Sequence, residues 1–548
     1  MRPCKYYYKC NTNADMENDS YICTICQHKL KGAGNISRHV KKHIQDAAFP
    51  KKEMGKSPFF HKTPTEQKPI DQNTVDILNF KVKSGISFKM ISDPTFKKVA
   101  AHPEAIACRQ TMSIYQKEIG QQMLEQSYAQ LHDKIISIAL DGGTVIHSKW
   151  IAVVGFCHNE GKIGLKLLDI ILMNESCTTE NIIQKIKNLN QTLSTKNAKI
   201  VAACSDNGSN FEGCFNNSIK NSSLFIREII RVSCACHTGQ LAIVDLCKVD
   251  EDVKNVIDSL NEFSSLRYKA TAKIKAAGLT GYPPIQNQRW NSYHTMLVYI
   301  NSNFDKLAKL FPNSYIFQNI SLVEEIEEAI KPIHDFTNNL EGDGKDQSDV
   351  YVEMRHLISK LEELKKTNAK AGKLLKQLRQ RCKDTIDYKL SETIYYFSSA
   401  GLNEFADQYP HIDDTEDDEE IPSETISRIK KIKEIQKKVV FLCNAWNIND
   451  TSVLKVFRLL TRQHNLFEEK FITFEELIKI LPDITDKDTK NFMQFINYLR
   501  IIPASEASAE RIFAEMRDLY SDREKSMKPE TLRSALIMNF INTREKYL

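Results

Sequence analysis

Several features are scarce in this 548-residue sequence, and each absence closes off a class of protein. No apolar run approaches the roughly 18 residues needed to span a bilayer, and the first residues, MRPCKYYYKC, lack the apolar core of a secretory leader. The expectation is an intracellular chain with no membrane contact. The fourteen cysteines are dispersed along the chain, which excludes a small disulfide-stapled fold and leaves reduced thiols or metal ligands. Net charge is also small, at +5, but it is unevenly placed. Residues 1–64 hold 12 Lys and Arg against 5 Asp and Glu, so a basic N-terminal arm precedes a near-neutral remainder. Such an arm suits a polyanion, with nucleic acid the foremost kind. The length exceeds what one compact core fills, pointing to several domains or one domain with a large insertion.

The basic arm carries the most compact motif, YICTICQHKLKGAGNISRHVKKH. Cys23 and Cys26 are two residues apart, twelve more precede His39, and three separate it from His43. Two thiols on a tight turn and two imidazoles one helical turn apart suit tetrahedral Zn²⁺; chance clustering of surface thiols is the plainer alternative. Lys29, Lys31, Arg38, Lys41 and Lys42 surround the expected helix as phosphate contacts. The spacing predicts a finger over residues 1–48 and a Pro- and Lys-rich linker over 49–72. A helical DNA-binding or dimerisation region is expected over 73–132.

After residue 132 the apolar period changes. Ile135–Leu140, Trp150–Phe156 and Ile163–Leu172 read as strands, Thr179–Leu193 as a helix, and AKIVAACSDNGSNF as a fourth strand. Two of these strands end on a carboxylate, Asp141 and Asp206. Three meandering strands, a crossover helix and a strand returning parallel to the first describe the opening of an RNase H-like sheet. In that topology the fourth strand lies beside the first and brings Asp141 to Asp206. Two adjacent carboxylates repel unless a divalent cation neutralises them, and paired oxygen ligands suit Mg²⁺. The plainer alternative is that each Asp begins a turn or caps a helix.

With the finger, four further motifs make the chain resemble a transposase of the hAT superfamily with an N-terminal BED-type zinc finger. They are ALDGGT around Asp141, SDNGSNF around Asp206, CACHTGQLAI around Cys234 and His237, and NQRWNSYHTML around Arg289 and Trp290. A fifth, beginning IPASEASAERIFAEM, is similar to the family's C-terminal dimerisation region. The resemblance implies an Asp, Asp, Glu constellation of Asp141, Asp206 and Glu510 holding two Mg²⁺ or Mn²⁺ ions. Alanines replace the serines that flank this Glu in the family. Glu506, one turn before Glu510, is the rival ligand; the motif favours Glu510. The same resemblance places His237 and Cys234 near the scissile phosphate, though a structural histidine is the alternative. It also has Trp290 stack on a base turned out of the helix, against an ordinary core tryptophan.

The expected fold is thus α/β plus α: an RNase H-like catalytic domain, residues 133–245 and 491–548, interrupted by an all-helical insertion over 246–490, behind a zinc finger. The insertion shows helical periodicity throughout and no internal repeat. One segment, residues 413–420, has seven acidic residues in eight and is expected to be a solvated loop. The function implied is cut-and-paste transposition: excision that leaves hairpins on flanking DNA, then strand transfer into target DNA. The partners are double-stranded DNA, as terminal inverted repeats and target, and a second copy or more of the chain, in the nucleus. The alternatives are a domesticated, non-catalytic DNA-binding regulator and a zinc-finger nuclease without strand transfer.

Overall fold

The computed structural model describes residues 70–545 apart from 146, 160–161, 216–228, 280–282, 286–289, 343, 385, 409–422, 463–468 and 520–526, and before them three short strands. The chain divides into two compact units, Met1–Ile70 and Asp71–Leu548. In the first, β1 (Tyr7–Lys9), β2 (Ser20–Cys23) and β3 (Lys29–Lys31) form an antiparallel sheet. Lys29 and Lys31 stand on β3, where Ile22 pairs with Lys29 and Ser20 with Lys31; the helix expected beside them lies outside the described residues. Cys23 closes β2, while Cys26, Arg38, His39, Lys41, Lys42 and His43 lie outside the described residues. No zinc finger is seen among the described residues.

The second unit is a mixed five-stranded sheet followed by a large helical region, an arrangement consistent with an RNase H-like core. Its first helices are α1 (Gln72–Ser84) and α2 (Arg109–Ala129). Asp71 caps α1 by accepting the Thr74 amide, and Gly85 ends it in the left-handed conformation at φ 64°, which glycine adopts without a Cβ penalty. The sheet contains β4 (Ile135–Val145), β5 (Ser148–Asn159), β6 (Lys162–Met173), β7 (Lys199–Ser205) and β8 (Ile230–Ser233). Their order is β6-β5-β4-β7-β8: the meander is antiparallel, and β7 and β8 run parallel to β4. The crossover from β6 to β7 is α3 (Thr179–Ser194), capped by Thr178. Its Ile182, Ile183, Ile186 and Leu189 recur at helical spacing and are buried.

β8 is a strand the periodicity did not predict. It leads into α4 (Ala235–Val249), after which every described element through residue 499 is helical. The chain then returns to the sheet in α5 (Ala507–Leu519) and α6 (Pro529–Thr543). Two apolar cores result, one on each side of the sheet. Ile200 and Ala203 of β7 join α3, Ile512, Met516 and Phe540 in one; Val201 and Cys204 join the helical region in the other. Within the region 73–132, α2 packs on α6 so closely that a Cβ added at Gly120 meets Ser534 at 3.1 Å. The edge strand β6 is covered from the C-terminus: Glu545 accepts the Leu167 amide at 2.9 Å and pairs with Lys166. Covering an edge in this way blocks its free hydrogen-bonding groups. Among the described residues no helix is long and apolar enough to cross a membrane.

Candidate functional site

The parallel ladder between β4 and β7 ends at the pair Leu140–Ser205. Asp141 and Asp206 each stand one residue beyond it, and strands spaced about 4.8 Å apart set the two aspartates side by side. β4 does not stop at Asp141 as the sequence suggested. It continues to Val145 against β5, with Asp141 opposite Ala152 and Gly143 opposite Trp150. The carboxylate thus marks where the strand loses its parallel neighbour, not where it leaves the sheet.

The two glycines after Asp141 are explained by what lies on them. A Cβ at Gly143 would stand 2.8 Å from the Phe513 ring, and one at Gly142 would stand 3.3 Å from the Phe211 ring. Phe513 belongs to α5, one turn beyond Glu510, so its seat on Gly143 fixes the glutamate's helix against the strand of Asp141. The other carboxylates and His237 arrive from separate elements. Asp206 turns the chain after β7, its Oδ1 accepting the Gly208 amide at 3.0 Å. His237 lies in the first turn of α4, where its amide donates to Cys234 Sγ at 3.4 Å. Cys234 itself is buried, and burial pushes its thiol well above the ordinary range.

These residues share one cleft of about 1050 Å³, lined by Asp141, Asp206, His237, Glu506 and Glu510, with exposed Lys149 and Arg517 also lining it. Burial lowers the His237 pKa, while Asp206 and Glu510 pull it back up. Burial holds Glu506 well above the carboxylate range, and Cys234, then Asp141 and Asp206, raise it further. Glu506 Oε2 has no hydrogen-bond partner although the residue is only 8% exposed. The oxygen donors of Asp141, Asp206, Glu506 and Glu510 fit a hard divalent cation. Among the described residues no three His, Cys, Asp or Glu side chains converge closely enough to cage an ion alone. A cation held here therefore keeps water or substrate oxygens in its shell.

One residue that sequence reasoning missed is Arg231 on β8, 5% exposed. Its guanidinium donates to Ser205 Oγ at 3.1 Å, Ser233 Oγ at 3.2 Å, the Asp206 carbonyl at 2.6 Å and Asn207 Oδ1 at 3.3 Å. It ties the ends of β7 and β8 together and fixes the backbone of Asp206. The available signal was a charge inside the apolar run Ile229-Ile230-Arg231-Val232. Arg231→Met leaves these acceptors without their charged donor, an interaction worth about 1.5–3 kcal/mol. The expected result is a lower urea midpoint with an unchanged slope. Arg231→Lys recovers little of it, since a point charge cannot span the fork.

Trp290 opens the helix Trp290–Ser302, and Arg289 lies outside the described residues. Ile285, just before them, lines the cleft. No family model matches the chain, and no curated protein matches it.

Proposed function

We propose that the chain is a DNA transposase of the hAT type, cutting and rejoining phosphodiester bonds at the ends of its element. The observation that carries this reading is the pairing of Asp141 with Asp206 at equivalent strand positions, with two glutamates and a histidine around the same cleft. Asp141, Asp206 and Glu510 are the residues that would hold Mg²⁺ or Mn²⁺. When bound, such ions supply Lewis-acid polarisation of the phosphate and a nucleophile at neutral pH. His237, whose pKa burial lowers, is suited to accept the proton of the attacking water or 3′-hydroxyl. Lys149 and Arg517 suit the phosphate backbone entering the cleft, and Trp290 with Arg289 suits an unstacked base.

The remaining parts of the reading rest on sequence. Cys23, Cys26, His39 and His43 would hold a structural Zn²⁺, and Arg38, Lys41 and Lys42 would meet phosphates beside it. A second copy of the chain would give multivalent attachment to paired element ends, and the substrate places the reaction in the nucleus. The test is incubation of the full chain with a duplex carrying the element's own end and Mg²⁺ or Mn²⁺. Metal-dependent nicks, hairpinned flanks and joined products support the proposal, and chelation abolishes all three. Cutting without joined products indicates a nuclease; specific binding without cutting indicates a domesticated regulator.

A further inference from the structure

We infer that Asn207 and Thr238 are a positioning pair that fastens the helix turn of His237 to the chain turn of Asp206, so that these two cleft residues keep one spacing. The role rests on the reading of the cleft as a site of phosphodiester chemistry. Asn207 directly follows Asp206, and Thr238 directly follows His237 in the first turn of α4. Asn207 Nδ2 donates to Thr238 Oγ1 at 3.3 Å, joining residues 31 positions apart in the chain. Neither side chain lines the cleft itself, whereas Asp206 and His237 both do.

The bridge has a fixed direction. A guanidinium only donates, so the Asn207 oxygen turns to Arg231, whose Nη2 stands 3.3 Å away. That leaves the Asn207 amide nitrogen facing Thr238, which is 6% exposed. The Thr238 hydroxyl accepts from it and passes its own proton to the Cys234 carbonyl at 3.0 Å. A chain that starts on a charged donor and runs one way is polarised along its length. Its first member also holds the Asp206 carbonyl at 2.6 Å. A second tie runs through the backbone, where the Cys234 amide donates to the Ser205 carbonyl at 2.9 Å. One such bond sets a distance but lets α4 pivot about it. Thr238 lies one turn beyond Cys234, about 6 Å along the axis, and a second bond there stops the pivot. His237 sits between the two ties, so its placement against Asp206 depends on both. A misplacement of about 1 Å at a reacting centre costs on the order of 10²-fold in rate.

The test is Mg²⁺-dependent nicking of a duplex carrying the element's own end by the full chain. kcat and KM are measured for the natural protein, Thr238→Val, Thr238→Ser, Asn207→Ala and the double variant Asn207→Ala with Thr238→Val. Val matches the outline of Thr without its hydroxyl, and Ser keeps the hydroxyl. The expected result is a kcat at least about tenfold lower in Thr238→Val, with KM for the DNA within about threefold, and recovery in Thr238→Ser to within about threefold of the natural rate. The double variant should be no more than about threefold slower than the slower single variant, because both changes remove one bridge. Should Thr238→Val fail to fold, Asn207→Ala decides by the same threshold, its side chain being only partly buried. A loss of less than tenfold in a natural chain that does cut overturns this inference alone, as does a Ser variant as slow as Val or a double loss equal to the product of the single ones. A natural chain that cuts no DNA removes the transposase reading and this role together.

Discussion

Asp141→Ala is expected to abolish Mg²⁺-dependent nicking of the element's end, slowing it by at least about 10³-fold, while the protein folds as before. The size follows from what the carboxylate is asked to do. Lewis-acid stabilisation by a positioned cation is worth several kcal/mol of transition-state energy, and each 1.36 kcal/mol is a factor of ten in rate. Asp141 stands one residue past the Leu140–Ser205 pair, beside Asp206, so its loss removes half of the oxygen pair on the sheet. Stability should move the other way or not at all. Asp141 raises the pKa of the buried Glu506, and removing it relieves that repulsion. The check is a pair of measurements on one preparation, nicking rate and thermal unfolding. A variant that cuts at the natural rate would sink the assignment of this cleft as the catalytic centre; a variant that has lost both activity and fold would be uninformative, and Asp141→Asn then replaces it.

The largest stability effect is expected at Trp446, which ends the helix Ser423–Trp446. Its side chain is fully buried, and its Nε1 donates to the Val201 carbonyl of β7 at 3.0 Å. Its ring meets Tyr498 edge-on at 5.2 Å and Phe495 at 5.8 Å. One residue therefore fastens the helical region to the strand that carries Asp206. Trp446→Ala removes a large core side chain, a change that costs about 3–5 kcal/mol, and leaves a strand carbonyl without its donor. Urea unfolding should shift to a lower midpoint, and amides of residues 199–205 should lose hydrogen-exchange protection first. Trp446→Phe keeps most of the ring and isolates the hydrogen bond, for which about 1 kcal/mol is expected. Equal stability of the natural protein and the Ala variant would mean that the helical region and the sheet are not coupled through this residue.

The sheet was legible because its signals are local. Alternating and continuous apolar runs marked β4 to β7, and a crossover of helical period left β7 no place but parallel to β4. β8 escaped because four residues with a buried Arg231 do not look like a strand; only the hydrogen bonds of its guanidinium make that charge tolerable in the sheet. The strand end at Asp141 was misjudged for a related reason. Asp-Gly-Gly has the composition of a turn, and nothing in residues 141–143 reveals that Phe211 and Phe513 press on those glycines. Glu506 and Glu510 were both visible as candidates, but a motif ranks residues by position, whereas burial and an unpartnered oxygen arise from contacts with residues some 300 positions away.

The return of α5 to the sheet has a temporal consequence. Asp141 and Asp206 are synthesised roughly 300 residues before Glu506 and Glu510. At the usual 5–20 residues per second, that interval lasts about 15–60 s. Throughout it, the growing chain owns two of the carboxylates and lacks both glutamates, as well as the Phe513 ring that seats on Gly143. Any product interrupted before α5 is equally incomplete. If the proposed function holds, an unfinished or broken copy has the aspartate half of the cleft without the glutamates, and DNA cutting is reserved for the chain that has been finished.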